Sequence, residues 1–182
     1  MNESAYMRVV YVVDNPVIAK ILIDPMRRAI LELLRTRPMT QAKLASELGL
    51  ATPSLNHHMK VLRSKKLVVM VKRETERHRV IQKFFAPAAY LFVYDLDALP
   101  KNIARYFYPV SLERTRGIVS TILLKDSRFP IPPTQEAMNV LSEKISRALV
   151  HAAKEHSNQD IDSGLEERVY KIYADAIKKA LT

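Results

Sequence analysis

Residues 39–68 constrain the fold more than any other part of the chain, because they contain two short helical patterns separated by a glycine turn. Thr40 is placed to cap the first helix, since a threonine hydroxyl accepts hydrogen bonds from the free N–H groups of an opening helical turn. Gly49 follows that helix, where a left-handed residue lets the chain turn away. Thr52 and Pro53 then predict a second helix start, with Thr52 as N-cap and Pro53 at the first helical position.

The second helix, over about residues 53–66, has two chemically distinct faces. Its inward face is formed by residues that recur at helical spacing, namely Leu55, His58, Met59 and Leu62. The other face carries short polar side chains near its start and cations further along, namely Ser54, Asn56, His57, Lys60 and Arg63. Polar side chains suit hydrogen bonds to base edges, and cations suit phosphates. The pattern therefore predicts a recognition helix.

The flanking segments extend this helix pair into a larger unit. Asp24 and Pro25 predict another helix start upstream. Downstream, residues 67–71 and 80–85 are short apolar runs that predict two strands, with the charged residues 72–79 as the turn between them. Helices followed by a basic-tipped hairpin form a winged helix-turn-helix. The predicted fold class is therefore mainly α with a small β-wing.

Residues from about 16 to 89 resemble the ArsR-type winged-helix transcriptional regulators, especially their archaeal representatives. The resemblance is carried by residues 23–31, 40–50, 52–59, 62 and 67–68. Members of this family commonly have a glycine just before the residue pair that corresponds to 67–68, where this chain has Lys66. The resemblance implies a sequence-specific DNA-binding transcriptional regulator, with repression as the expected outcome.

The positive charge is concentrated on the predicted recognition helix and wing. The chain has a formal net charge of +10. Residues 1–90 carry 16 Lys and Arg against 7 Asp and Glu, whereas residues 91–182 carry 13 against 12. A merely solvated basic surface would spread its charge evenly. A basic face confined to one module is typical of a protein that binds a polyanion.

We predict two classes of contact with double-stranded DNA. Base-edge contacts are expected from Ser54, Asn56, His57 and Lys60, and Asn56 can bond bidentately to adenine. Phosphate contacts are expected from hydroxyl groups at helix starts and from the cations of the helix and wing, namely Thr40, Thr52, Arg63, Lys65, Lys72, Arg73, Arg77 and Arg79. His58 is excluded from the site, because its inward position favours a buried, hydrogen-bonded histidine.

Residues 91–182 predict a helical region attached to the DNA-binding domain at residues 1–90. Its helices are expected over residues 103–108, 112–125, 134–156 and 165–181, and the last two carry apolar stripes. Such stripes can close on each other within one chain or pack against a second chain. We favour a homodimer through helices 134–156 and 165–181, because helix-turn-helix proteins double their base contacts by two-fold symmetry.

Three further segments are less determined by their sequence. Residues 9–13 fit either an edge strand or the start of a helix, and residues 90–94 fit either a strand or a buried linker. Ala86 and Pro87 are expected to break the second wing strand.

Two side-chain clusters have both a functional and a structural interpretation. His151 and Glu155 share a helix face near His156, Asp160 and Asp162, which fits either a divalent metal site or, as we favour, a solvated helix end. The aromatic residues Tyr90, Phe92, Tyr94, Tyr106, Phe107 and Tyr108 fit either an effector pocket or, as we favour, core packing or a dimer seam. We therefore predict neither a metal nor a cofactor.

Composition argues against several other functions. The chain has no cysteine, so disulfides and thiolate metal ligands are excluded. Three glycines make a phosphate-binding loop implausible, and no catalytic triad or carboxylate pair is recognisable, so we do not expect an enzyme. Neither a membrane-length apolar run nor a signal peptide is present, so we expect a cytoplasmic protein.

Two other functions fit parts of the pattern. A non-specific chromosomal or RNA-binding protein would use the same cations without reading a sequence. A winged-helix protein–protein adaptor would instead expose apolar residues on the second helix, whereas Asn56, His57 and Lys60 are polar.

Overall fold

The structure is a computed structural model that describes residues 8–75, 81–128, 130, 134–157 and 164–181. In chain order its elements are β1 (Arg8–Val13), α1 (Pro16–Ile23), α2 (Pro25–Thr36), α3 (Gln41–Leu48), α4 (Thr52–Ser64), β2 (Val68–Thr75), β3 (Ile81–Pro87), β4 (Ala89–Tyr94), α5 (Lys101–Ala104), α6 (Tyr108–Lys125), α7 (Gln135–His156) and α8 (Leu165–Leu181). Helices α3 and α4 form the helix-turn-helix, and the antiparallel β2–β3 pair follows as the wing. The predicted fold class is confirmed. Of the helices within these ranges, none is long and apolar enough to cross a membrane.

Side-chain caps fix where the first two helices begin. The side-chain oxygen of Asn15 accepts a hydrogen bond from the N–H of Val17 at 2.8 Å. Asp24 Oδ1 accepts from the N–H groups of Met26 at 2.9 Å and Arg27 at 3.2 Å. A proline follows each cap in the first turn, where its missing N–H has no intrahelical role. The predicted cap at Asp24 is confirmed.

One hydrophobic core lies beneath the helix-turn-helix. Its largest buried side chains come from α1 to α4 and the wing, namely Leu22, Ile30, Leu34, Leu44, Leu55, Met59, Leu62, Leu67 and Phe85. The three apolar residues predicted to face inward on α4, Leu55, Met59 and Leu62, are completely buried. Each such side chain contributes about 1.5–3 kcal/mol when it leaves water. The inner face of α4 is therefore fixed.

The second wing strand is longer than the sequence predicted. Ala86 and Pro87 do not break β3, because Val68 still lies opposite Pro87 at the base of the wing. Pro87 has no N–H to donate, but the N–H of Ala88 donates to the carbonyl of Leu67 at 2.9 Å. A proline is tolerated at this position because it lies at the end of the ladder.

The two segments left open by the sequence are both strands, and they pair with each other. β1 and β4 run parallel, with Val10 opposite Leu91 and Val12 opposite Val93. The helix-turn-helix and wing form the long connection that a parallel pair requires. Apolar side chains of both strands pack against α7 and α8 in a second core. The β1 strand therefore lies against the last two helices.

The region before α7 differs from prediction around Pro109. The predicted helices over residues 103–108 and 112–125 lie on either side of this proline. In the structure α6 begins at Tyr108 and contains Pro109 in its first turn. The N–H groups of a first turn have no acceptor inside the helix, so proline is compatible with this position. The helix expected over residues 103–108 is correspondingly reduced to the short α5.

The apolar stripes of α7 and α8 are closed within one chain. Leu149 of α7 and Val169 and Ile172 of α8 are buried in the second core. Lys154 Nζ also donates to Asp95 Oδ2 at 2.9 Å, which links α7 to the segment after β4. Any contact between two copies through α7 and α8 therefore uses the outward faces of these helices.

Helix α4 ends in a left-handed turn at Lys66, whose φ is 56°. The Lys66 N–H donates to the Arg63 carbonyl at 3.0 Å, and the Leu67 N–H donates to the Leu62 carbonyl at 2.9 Å. These bonds form a Schellman motif, in which glycine is the favoured left-handed residue. Lys66 stands where ArsR-type regulators commonly carry glycine. A side chain with a Cβ costs about 1–2 kcal/mol in this conformation.

Lys66→Gly is expected to raise the free energy of unfolding by about 1 kcal/mol, because the relief of backbone strain in the folded state outweighs the added entropy of the unfolded chain. Lys65→Gly is the matched control, since it removes the same charge at a residue with an ordinary φ of −105°. Urea denaturation measures both variants. Equal changes in the two would show that the left-handed geometry of Lys66 carries no strain.

Candidate nucleic-acid interface

The turn between α3 and α4 is built from a cap and a left-handed glycine. The Thr40 hydroxyl accepts from the N–H of Lys43 at 3.2 Å, as predicted for the start of α3. Gly49 has a φ of 62°, and the N–H of Leu50 donates to the Ala45 carbonyl at 2.9 Å. These bonds end α3 and set the direction in which α4 begins.

The predicted N-cap of α4 is wrong by one residue. Thr52 is already the first helical residue, Ala51 is the N-cap, and no side chain caps the helix. The reason is that the first helical hydrogen bond runs from the N–H of Leu55 to the Ala51 carbonyl at 3.1 Å. The Thr52 hydroxyl is exposed and is not used as a cap.

All four predicted base-contacting side chains lie exposed on α4, namely Ser54, Asn56, His57 and Lys60. Asn56 is held by a residue that the sequence prediction missed. Gln41, the first residue of α3, donates from Nε2 to Asn56 Oδ1 at 3.0 Å. The Asn56 amide nitrogen remains available as a donor. The two residues are 15 positions apart, and no local pattern in the sequence links them.

The cations at the end of α4 form the basic part of the surface. Arg63, Lys65 and Lys66 are all exposed. The Arg63 guanidinium carbon lies 5.2 Å from the centroid of the Phe85 ring in β3. This cation–π contact fixes the stem of Arg63 against the wing while the guanidinium stays in solvent.

Two of the residues predicted to contact phosphates, Lys72 and Arg73, lie in the described part of the wing. Lys72 is exposed, forms an ion pair with Glu74, and lies 5.8 Å from the Phe84 ring centroid. Arg73 is exposed, and its Nε donates to Met70 Sδ at 3.4 Å. Lys83 lies opposite Arg73 in the ladder and adds a cation to which we assigned no role.

The remaining predicted wing contacts, Arg77 and Arg79, lie outside the described residues.

Elsewhere on the helix-turn-helix, charges are neutralised by close partners. Lys43 Nζ lies 2.7 Å from Glu47 Oε1 on the outer side of α3. The hydrogen bond and the charge of Lys43 lower the pKa of Glu47, so this carboxylate stays ionised at neutral pH. The pair therefore contributes little net charge, and among the described residues of α4 and its C-terminal turn the cations without an ion pair are Lys60, Arg63, Lys65 and Lys66.

His58 lies between α4 and the start of α2, but not with the hydrogen bond that we predicted. Its side chain is 17% exposed, and Nδ1 lies 3.7 Å from Asp24 Oδ2, which is beyond hydrogen-bonding distance. The buried Nδ1 makes no hydrogen bond within the described residues. The same carboxylate oxygen lies 3.6 Å from Arg27 Nε. The Asp24 carboxylate therefore lies near both the Arg27 guanidinium and the His58 ring without a hydrogen bond from Arg27 Nε or His58 Nδ1.

The histidine cluster near the end of α7 contains a lysine ammonium. Lys179 Nζ lies 2.9 Å from His151 Nδ1 and 3.2 Å from Glu155 Oε1. Asp160 and Asp162, which would complete a metal site, lie outside the described residues. Within the described ranges, no three His, Asp or Glu side chains are placed to hold a metal ion.

Comparison with known proteins identifies the same segment. Residues 22–71 match a family model described as a helix-turn-helix domain. The chain is also 35% identical over 49 residues to the transcriptional repressor SdpR of Bacillus subtilis (strain 168). That alignment covers 27% of this chain and 54% of the relative, so the chain spans about half the length of the curated relative that it matches. The chain therefore contains a helix-turn-helix domain.

Thr40→Ala is expected to lower the free energy of unfolding by about 1 kcal/mol, because it removes the side-chain cap of α3. Thr52→Ala is the control, since the Thr52 hydroxyl caps nothing, and its effect should stay within about 0.5 kcal/mol. Chemical denaturation of the two variants tests this difference. A larger loss for Thr52→Ala would reverse the assignment of the caps.

Proposed function

We propose that this protein is a sequence-specific DNA-binding transcriptional regulator that inserts α4 into the major groove. The observation that carries the proposal is the exposed face of α4, which has polar side chains at its start and, towards its end, cations that form no ion pair with any described residue. A protein–protein adaptor is not favoured, because this face presents no large apolar residue. The major groove accepts an α-helix and displays a distinct pattern of donors and acceptors for each base pair.

In this proposal the first turns of α4 read the bases. Ser54, Asn56, His57 and Lys60 supply donors and acceptors on a helix whose inner face is locked into the core. The bond from Gln41 limits the rotation of the Asn56 amide before DNA arrives. A preorganised amide loses less entropy when it binds, which supports Asn56 as the main reading residue.

The cations position the protein on the DNA backbone. We assign phosphate contacts to Thr40, Thr52, Arg63 and Lys65 on the helix-turn-helix, and to Lys72, Arg73, Arg77 and Arg79 on the wing. Each neutralised phosphate releases counterions, so binding should weaken steeply as salt rises. The Glu74 partner of Lys72 must give way to a phosphate for that contact to form.

Repression and dimerisation are further parts of the proposal. The relative from Bacillus subtilis is named a transcriptional repressor, and we extend that role to this chain. We also propose that residues 91–182 form a homodimer through α7 and α8, so that residues 1–90 of two copies bind two half-sites. The outward faces of α7 and α8 carry exposed apolar residues that support such a contact, namely Val140 and Tyr170.

Selection of bound duplexes from a random DNA pool, at two salt concentrations, tests the proposal. We expect an inverted repeat whose half-sites lie about one helical turn apart. Recovery of no motif, with affinity that collapses as salt rises, would contradict sequence reading and favour a non-specific role. Absence of binding at both salt concentrations would contradict DNA binding itself.

Asn56→Ala should weaken binding to the selected duplex by about 1–3 kcal/mol and change binding to random DNA much less. Arg73→Ala should weaken both by similar factors and reduce the salt dependence by about one counterion, since a phosphate contact carries no sequence information. Fluorescence anisotropy with the two duplexes measures both effects. If both variants lost affinity equally for the selected and the random duplex, Asn56 would not be a base-reading residue distinct from the phosphate-binding Arg73.

A further inference from the structure

A cavity of about 380 Å³ lies where the helix-turn-helix meets the C-terminal helices. One side is formed by α2, and the other sides are formed by β4, α6 and α8. This volume lies within the range of small-molecule sites in proteins. Among the residues that the structure describes, none of α3, α4 or the wing lines it, so it is distinct from the described part of the proposed DNA-binding surface.

Aromatic rings form much of the cavity wall. The sequence allowed six aromatic residues to form either an effector pocket or part of the core. Four of them line the cavity, namely Tyr90, Phe92, Tyr94 and Phe107, and Tyr173 of α8 adds a fifth ring. Tyr94 and Phe107 are stacked with their ring centroids 3.9 Å apart. Phe107 is buried, so its stacking contact holds the Tyr94 ring in a fixed position, and a fixed flat ring suits a planar ligand.

Two guanidinium groups face this cavity from different elements. Arg28 of α2 and Arg114 of α6 are both half-buried and both line it. Within the described part of the chain, neither guanidinium group forms an ion pair or a hydrogen bond. Arg114 lies over the Tyr173 ring at 5.8 Å. A third arginine, Arg35, and the Glu32 carboxylate also line the cavity, and these two side chains are paired with each other.

The hydroxyl of Tyr94 adds a neutral donor beside these cations. Burial raises the pKa of Tyr94 to about 12, and the charges of Arg28 and Arg114 oppose that shift. The hydroxyl therefore stays protonated at neutral pH.

We infer that this cavity binds a small organic anion with a planar aromatic body, of the arylcarboxylate class. The stacked rings take the flat body of the ligand, and the unpaired guanidinium groups take its carboxylate through charge-assisted hydrogen bonds. An unpaired, partly buried cation is costly until it finds such a partner. The aromatic body of the ligand thus matches the rings of the cavity wall, and its carboxylate matches the guanidinium groups of Arg28 and Arg114.

Binding at this position would connect the two regions of the chain. Arg28, Leu31 and Arg35 of α2 line the cavity, and α2 also packs against α4. Suppose that α2 can take two positions relative to β4 and α6. A ligand that binds one position more tightly than the other shifts the protein towards that position, and α4 moves with α2. This regulatory consequence rests on the proposed function, whereas ligand binding itself does not.

Titration calorimetry of the full chain with 2-naphthoate tests the site. The amide 2-naphthamide has the same rings but no charge, so we expect it to bind at least about tenfold more weakly. Arg114→Gln and Arg28→Gln should each weaken 2-naphthoate binding by about tenfold. Arg116→Gln is the matched control, because Arg116 lies on the same helix, pairs with Glu113, and does not line the cavity. The circular dichroism melting curve of each variant verifies that it is folded.

Three results would overturn the inference: no binding of 2-naphthoate up to millimolar concentration, equal affinity for the acid and the amide, or an equal loss in Arg116→Gln. The coupling is tested separately, by measuring affinity for the selected duplex with and without saturating 2-naphthoate. An unchanged DNA affinity alongside specific naphthoate binding would overturn only the regulatory consequence and leave the site intact.

Discussion

Burial of one face of α4 is the constraint on which the interface depends. Leu55, Met59 and Leu62 leave water completely, and their spacing sets the rotation of the helix about its own axis. Once that rotation is set, the residues between them, including Asn56 and His57, must project into solvent. Charge alone would attract DNA in many orientations. The packed inner face fixes the direction in which the polar side chains of α4 point.

Helix α2 links this interface to the rest of the molecule. Its inner residues Ile30 and Leu34 belong to the core beneath α4, while Arg28 and Arg35 face the cavity shared with β4 and α6. The β1–β4 pair in turn belongs to the second core, with α7 and α8. Helix α2 and the C-terminal helices therefore both line the cavity, and α2 connects the cavity to α4.

Local sequence patterns predicted the elements whose signals lie within a few residues, and missed those that depend on distant partners. Asp24, Thr40 and Gly49 act through their own helix ends, and their roles are confirmed. Gln41 touches Asn56 across 15 positions, and the β1–β4 pairing joins residues about 80 apart, so no local pattern carries either contact. The helical stripes of α7 and α8 were visible, but their spacing does not tell whether they close on their own chain. The predicted contacts with bases and phosphates stay predictions.

The absence of cysteine allows a direct test of where α4 lies on DNA, since a single introduced thiol is unique. His57→Cys and, as a control, Leu124→Cys at the exposed end of α6 would each carry a tethered iron–EDTA group. On the selected duplex, we expect strand cleavage confined to a few base pairs of each half-site from position 57, and none above background from position 124. Equal cleavage from the two positions, or cleavage from position 124 alone, would contradict the claim that α4 occupies the major groove.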